Sequence, residues 1–223
     1  MNPHNIIRNL TSLIVIAIMS MTHNLQAQNS HSGNSDFKYS EEFFMDMDFE
    51  PNLATPKIPE KEKAAVKQYV RKVAEGLSKD VTVDLMRDDE VFIVTIPTDE
   101  LFLPNDSLLM DDASNRFDPF FKLMSDPLMY KIVLAMHTDD TGSKKYCDYL
   151  STVRMNSIYD MFMEKIENGE LSEDLVIIPF AMGSSLPLVP NDTRKNRSEN
   201  RRLEIYFIPG PKMIELAHKK ALQ

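Results

Sequence analysis

Residues 131–154 read KIVLAMHTDDTGSKKYCDYLSTVR. Ile132, Val133, Leu134 and Ala135 form a short apolar run with β-branched members, which predicts a strand. His137-Thr138-Asp139-Asp140-Thr141-Gly142 is a polar turn closed by glycine. Beyond it Tyr146, Leu150, Val153, Ser157/Ile158, Met161 and Phe162 recur at three- and four-residue spacing. That spacing predicts a helix with these residues on its apolar face. Strand, polar loop, helix is the arrangement in which α/β domains hold ligands, outside the carboxyl end of the strand. Arg154 falls on or beside the apolar stripe. A guanidinium there needs a carboxylate or a ligand, because burying it unpaired is costly. Asp139, at the strand end, is the nearest candidate.

The flanks extend the pattern. The run 91–96 predicts a strand stopped by Pro97, and 81–85 alternates as a further candidate strand. Phe117, Phe120, Phe121 and Met124 predict a helix over 113–124. The central helix should end near Asn168-Gly169. Strands follow at 175–178 and 203–208, with a short helix at 194–200 between them. The order βαβαβ(α)β gives an α/β class, an α+β sandwich on a mixed four-stranded sheet. An amphipathic helix over 60–77, with Val66, Tyr69, Val70, Val73 and Leu77 on one face, precedes it. A helix over 212–222 follows it.

Two blocks of residues carry a family resemblance. The first is His137-Thr138-Asp139, Gly142 and Leu150-Ser151-x-x-Arg154. The second is Gly183, Pro187, Asn191, Thr193 and Arg197-x-x-Asn200-Arg201-Arg202-Leu203-Glu204-Ile205. In this order and spacing they resemble the OmpA-like peptidoglycan-binding domain, over residues 91–208. The resemblance implies a non-catalytic module that binds the diaminopimelate stem peptide of peptidoglycan. Asp139 would receive the ammonium of that zwitterion and Arg154 its carboxylate, which a guanidinium fork fits in two hydrogen bonds. Thr138 would add a hydrogen bond, and Arg201, beside Asn200, would hold Asp139 or touch the peptide. Cys147 stands where the family has an asparagine near the ligand. Met136 and Asn196 stand where it usually has glycine. From the residues alone, Asp139 and Arg154 fit equally a structural pair that only orients loop and helix. Arg194, Lys195, Arg197, Arg201 and Arg202 form a basic cluster, either a solvated helix face or an attractor for an acidic polymer.

Arg8 followed by an apolar run over 10–21 and Leu25-Gln26-Ala27 reads as an export signal cleaved after residue 27. The alternative is an anchor, but a span needs about 20 apolar residues. Residues 28–59 read as a linker with Pro51, Pro56 and Pro59, followed by the amphipathic helix to 78, the domain over 81–208 and an extension over 209–223. Within the linker, Glu41-Glu42-Phe43-Phe44-Met45-Asp46-Met47-Asp48-Phe49-Glu50 is acidic and apolar at once. It suits a tail or a docking segment for an envelope partner, as does the helix over 60–77.

The chain carries 25 Lys+Arg against 34 Asp+Glu, a net charge of −9. That excludes general nucleic-acid binding, which rests on positive charge. Cys147 is the sole cysteine, so no intrachain disulfide forms. The sequence holds no G-x-S-x-G, H-E-x-x-H or P-loop motif, and 139–142 lacks calcium-loop spacing, so neither an enzyme nor a cofactor is expected. Two functions remain: a periplasmic anchor to the cell wall, or a structural subunit of an envelope assembly whose peptidoglycan binding is weakened or lost.

Overall fold

The computed structural model describes residues 57–79 and 81–222. The expected export signal and most of the linker lie outside the described residues. Helix α1, Glu60–Leu77, opens with Glu60 and Glu62, whose charge suits a helix N-terminus. Val66, Val70 and Ala74 are buried, at the four-residue spacing that makes one face. Strands β1, Thr82–Met86, and β2, Val91–Pro97, form a hairpin. Arg87, Asp88 and Asp89 in its turn have φ of 52°, 54° and 66°, a left-handed conformation that costs non-glycine residues energy. α1 secures that turn, through ion pairs from Lys67 to Asp88 and from Arg71 to Asp89.

β3, Tyr130–His137, leads into α3, Lys144–Glu167, and β4, Ile177–Gly183. Between β2 and β3 lies a short helix α2, Asp118–Phe121, flanked by 3-10 turns. After β4 come α4, Arg194–Asn200, β5, Arg202–Pro209, and α5, Pro211–His218. The sheet order is β1-β2-β5-β3-β4, with β3 and β4 parallel and the other pairs antiparallel. One face of this sheet carries the core. Phe92, Val94, Ile132, Leu134, Ile205 and Phe207 meet Val66 and Val70 of α1, Ile158 and Phe162 of α3, and Met213 of α5. Phe92 and Phe207 stack with centroids 4.5 Å apart.

The α+β class is the one expected, with three corrections. The sheet has five strands instead of four, because β1 pairs along its whole length with β2. The single helix expected over 113–124 is broken into 3-10, α and 3-10 pieces. Pro119 and the packing of Phe117, Phe120 and Met124 into the core fix this irregular path. The apolar stripe expected on the central helix is out of phase in its first half. Cys147, Ser151 and Arg154 are buried there, and Tyr146 is exposed. The reason is the partner: that half of α3 packs on loops, whose backbone groups call for hydrogen-bonding side chains.

Register brings three chain segments to one end of the sheet. Pro97 pairs with Arg202, and Met136 pairs with Leu203. The end of β2, the start of β5 and the end of β3 are therefore neighbours.

Candidate functional site

Asp139 follows the end of β3 and is 8% exposed. Its Oδ1 accepts from the Thr141 amide at 2.8 Å, a turn that aspartate forms readily with the residue two ahead. Its Oδ2 accepts from Arg201 Nη1 at 2.8 Å. Arg201 sits just before β5 and also grips Asp99 with Nε and Nη2, at 3.1 and 2.8 Å. Burial works against ionisation of Asp139, but the hydrogen bonds from Arg201 and Thr141 outweigh it and lower its pKa. The Arg201 hydrogen bonds lower that of Asp99, against a smaller opposing effect of burial.

Arg154 is 3% exposed, in the third turn of α3. The sequence pointed to Asp139 as its partner; the two make no direct ion pair. Arg154 Nε donates to the Asp106 carbonyl at 2.8 Å and Nη2 to the Leu103 carbonyl at 3.2 Å. Its guanidinium lies 5.0 Å from the Phe102 ring centroid. Nη1 makes no hydrogen bond within the described residues. Burial pulls the Arg154 pKa down, while Asp99 pulls it up. The loop 102–109 is itself held by a Phe102–Leu109 bridge and by Ser157, which donates to the Ser107 carbonyl at 2.6 Å.

The other expected site residues fall into distinct surroundings. The Thr138 amide donates to the Gly183 carbonyl at 2.8 Å. Its buried hydroxyl makes no hydrogen bond. The Cys147 thiol, 2% exposed, donates to the carbonyls of Asp139 at 3.5 Å and Thr141 at 3.8 Å, so it backs the loop. Asn200 spends its whole amide inside the fold. Oδ1 accepts from Leu188 and Val189, and Nδ2 donates to the Val189 carbonyl and Asn191 Oδ1. It staples the 188–191 loop. The basic cluster disperses. Arg202 is buried against Glu204, Arg201 lies between two aspartates, and Arg197 donates to the Asn191 carbonyl.

Beneath the site, His137 Nε2 meets Glu204 Oε2 at 3.2 Å, and Glu204 also receives Arg202 and the Tyr206 hydroxyl, each at 2.7 Å. Burial opposes ionisation of Glu204, but His137, Arg202 and Tyr206 hold its pKa well below the usual carboxylate range. Burial pushes His137 down, which favours the neutral ring. At the end of β4, Gly183 has φ of 54°, and a Cβ there would meet Asp148 Oδ1 at 2.5 Å. Ser151 Oγ accepts from its amide at 3.0 Å. Two blocks far apart in sequence, 137–154 and 183–205, thus converge at one end of the sheet.

Asp99 was not among the residues singled out from the sequence. Its signal was present: Thr98-Asp99-Glu100 follows a strand end, as the turn at 137–142 does. Only the pairing of β2 with β5 brings it to Arg201.

The α+β fold has strand, helix and strand in the order that the sequence resemblance implies. No family model matches the chain, and no curated protein does. Among solved structures it is similar to the putative MotB-like protein from Desulfovibrio vulgaris, at 21% identity and a TM-score of 0.49, covering 67% of this chain and 92% of that one. It is similar to the cell wall anchor of the T6SS from Pseudomonas aeruginosa, at 18% identity and 0.46, covering 65% and 96%. It is also similar to an outer membrane protein from Borrelia burgdorferi B31, at 19% identity and 0.39, covering 57% and 96%. At such identities the likeness is one of fold alone. Among the described residues no helix is long and apolar enough to cross a membrane.

Proposed function

We propose that this domain binds peptidoglycan without catalysis, by gripping the free zwitterionic end of a diaminopimelate stem peptide. One observation carries the reading: two carboxylates and two guanidiniums, Asp99, Asp139, Arg154 and Arg201, gather at the carboxyl end of β3. Arg154 is fastened by backbone carbonyls instead of a carboxylate, so its charge is available to the carboxylate of a ligand. Asp139 presents the opposite charge for the ammonium. Arg201 keeps Asp139 ionised and oriented. The buried Thr138 hydroxyl is a further hydrogen-bonding group. Cys147 and Asn200 support the two loops that frame the site. Such a module would tether an envelope partner, or the outer membrane, to the cell wall from the periplasm. Residues 1–27 would direct export, and 28–59 would link the domain to what precedes it.

A second reading has its own support. Asp139 already has a cationic partner in Arg201, and Cys147 supplies no amide where the resembling family has one. A structural subunit that has lost the ligand would look the same. Co-sedimentation with purified sacculi decides between them. Retention of the wild-type chain, and its loss in Asp139→Ala and Arg154→Ala variants that keep their circular dichroism, is the expected result. Equal sedimentation of all three, or none by the wild type, overturns the binding reading.

A further inference from the structure

Tyr146 stands in the first turn of α3, where the apolar spacing predicts a core residue, yet it is 37% exposed. Its backbone is fixed by the helix cap, since its amide donates to Ser143 Oγ at 3.2 Å. Its ring lies against Gly142: a Cβ there would stand 3.2 Å from Tyr146 Cδ1, and φ is 108°. Its hydroxyl donates to Asn105 Oδ1 at 3.1 Å, across 41 positions of sequence. Asn105 belongs to the turn Leu103-Pro104-Asn105-Asp106, in which the Asp106 amide donates to the Leu103 carbonyl at 3.0 Å. Proline in second place and a left-handed residue in third, here Asn105 with φ of 60°, are the marks of a type II turn. The carbonyls at the two ends of this turn are the ones that hold Arg154. One side chain therefore touches both loops of the proposed site: 137–142, which leads to Asp139, and 102–109, which aims Arg154.

We infer that Tyr146 is a positioning residue, a strap that sets the gap between Asp139 and Arg154 and so the preference for a zwitterion. This rests on the reading that those two residues take one diaminopimelate end. The ammonium and carboxylate of that end share a carbon, so the groups that receive them must keep one spacing, to within about 0.5 Å. Asp139 is anchored to the sheet through Arg201 and to its own loop through the Thr141 amide. Arg154 is anchored only through the carbonyls of a surface turn and the Phe102 ring. Movement of that turn would carry the guanidinium with it. The Tyr146–Asn105 bond ties the turn to the helix that follows the Asp139 loop, and the ring on Gly142 ties the same helix turn to that loop. A hydrogen bond between neutral, exposed groups contributes little to folding. Its effect falls on how well the empty site is prepared for its ligand.

The test uses the full chain purified after export, as wild type, Tyr146→Phe, Asn105→Gly and the double variant. Phenylalanine keeps the ring on Gly142 and removes the hydroxyl; glycine keeps the left-handed turn and removes the amide. Without any ligand, amide hydrogen exchange should quicken several-fold at Asp106 and at Thr141 in Tyr146→Phe, with the strands unchanged. Unchanged exchange in either loop overturns the strap. Sedimentation with diaminopimelate-type sacculi should weaken several-fold in each single variant, and no further in the double variant. Binding to lysine-type sacculi, which lack the carboxylate that Arg154 would take, should change little, so the ratio between the two polymers falls. An equal fall on both polymers, or losses that add, would make Tyr146 a general stabiliser and overturns the inference. If the loops loosen as expected but wild type itself is not retained by sacculi, the binding reading fails, and the role of Tyr146 in ligand preference fails with it.

Discussion

Arg201 Nη1 donates to Asp139 Oδ2 at 2.8 Å, from the residue immediately before β5 to the residue just past the end of β3. The antiparallel pairing of those strands makes this contact, though 62 positions separate the two residues. The proposed anionic half of the site is therefore a property of the sheet, and Arg201 can be tested apart from any ligand.

Arg201→Ala should cost about 1–3 kcal/mol at neutral pH, since charge-assisted hydrogen bonds to two carboxylates vanish together. The pH dependence gives the sign. Asp139 and Asp99 have folded pKa values below the ordinary one, so their stabilisation is complete above an unfolded value of about 3.9 and fades as pH falls through the folded values. Urea unfolding of wild type and variant should differ at pH 7, and the difference should shrink as pH falls below the ordinary carboxylate value of about 3.9. A constant difference across that range would show that Arg201 acts through packing.

Arg154→Ala should weaken binding to diaminopimelate-type peptidoglycan by about 2–5 kcal/mol, as when one member of a buried charge pair is truncated. Arg154→Lys should not restore it, because an ammonium has no planar fork to bond both carbonyls and a carboxylate. Asp139→Ala should cost a similar amount, and the double variant less than the sum. Lysine-type peptidoglycan, which lacks the second carboxylate, should bind more weakly to wild type and be indifferent to Arg154. Sedimentation titrations with both polymers check all four expectations.

Cys147→Asn should leave the fold intact and strengthen peptidoglycan binding. The thiol already faces the carbonyls of Asp139 and Thr141, so an amide there finds acceptors waiting. Thermal unfolding should shift little and sedimentation should improve. A large fall in melting temperature would mean the pocket has closed around sulfur.

Asn200→Ala should destabilise the domain by about 1–3 kcal/mol, because it leaves part-buried backbone groups of Leu188 and Val189 without their side-chain partner. Limited proteolysis should then cut first within 186–193.

The strands from 91, 131 and 202 onward, the first helix and the ligand loop were legible because hydrophobic runs and turn residues state them locally. Helix 60–77 was read to the residue. The pairing partner of Arg154 was not legible, because a loop carbonyl has no side-chain signature; Leu103 and Asp106 contribute their backbones. The phase of α3 failed for the same reason, since packing on loops rewards Cys147, Ser151 and Arg154 over apolar residues. Asp99 and Glu204 depend on strand register, which a single strand does not specify.

β3, the strand that delivers Asp139, is hydrogen-bonded on both sides, parallel to β4 and antiparallel to β5. If the site carries load, that load has no edge to peel. Tension drawn along the strand from Asp139 would have to slide β3 past two neighbours at once, shearing both ladders together. Resistance to pulling would then reside in the middle of the sheet, and the weak point of the chain would lie in whatever joins this domain to its partner.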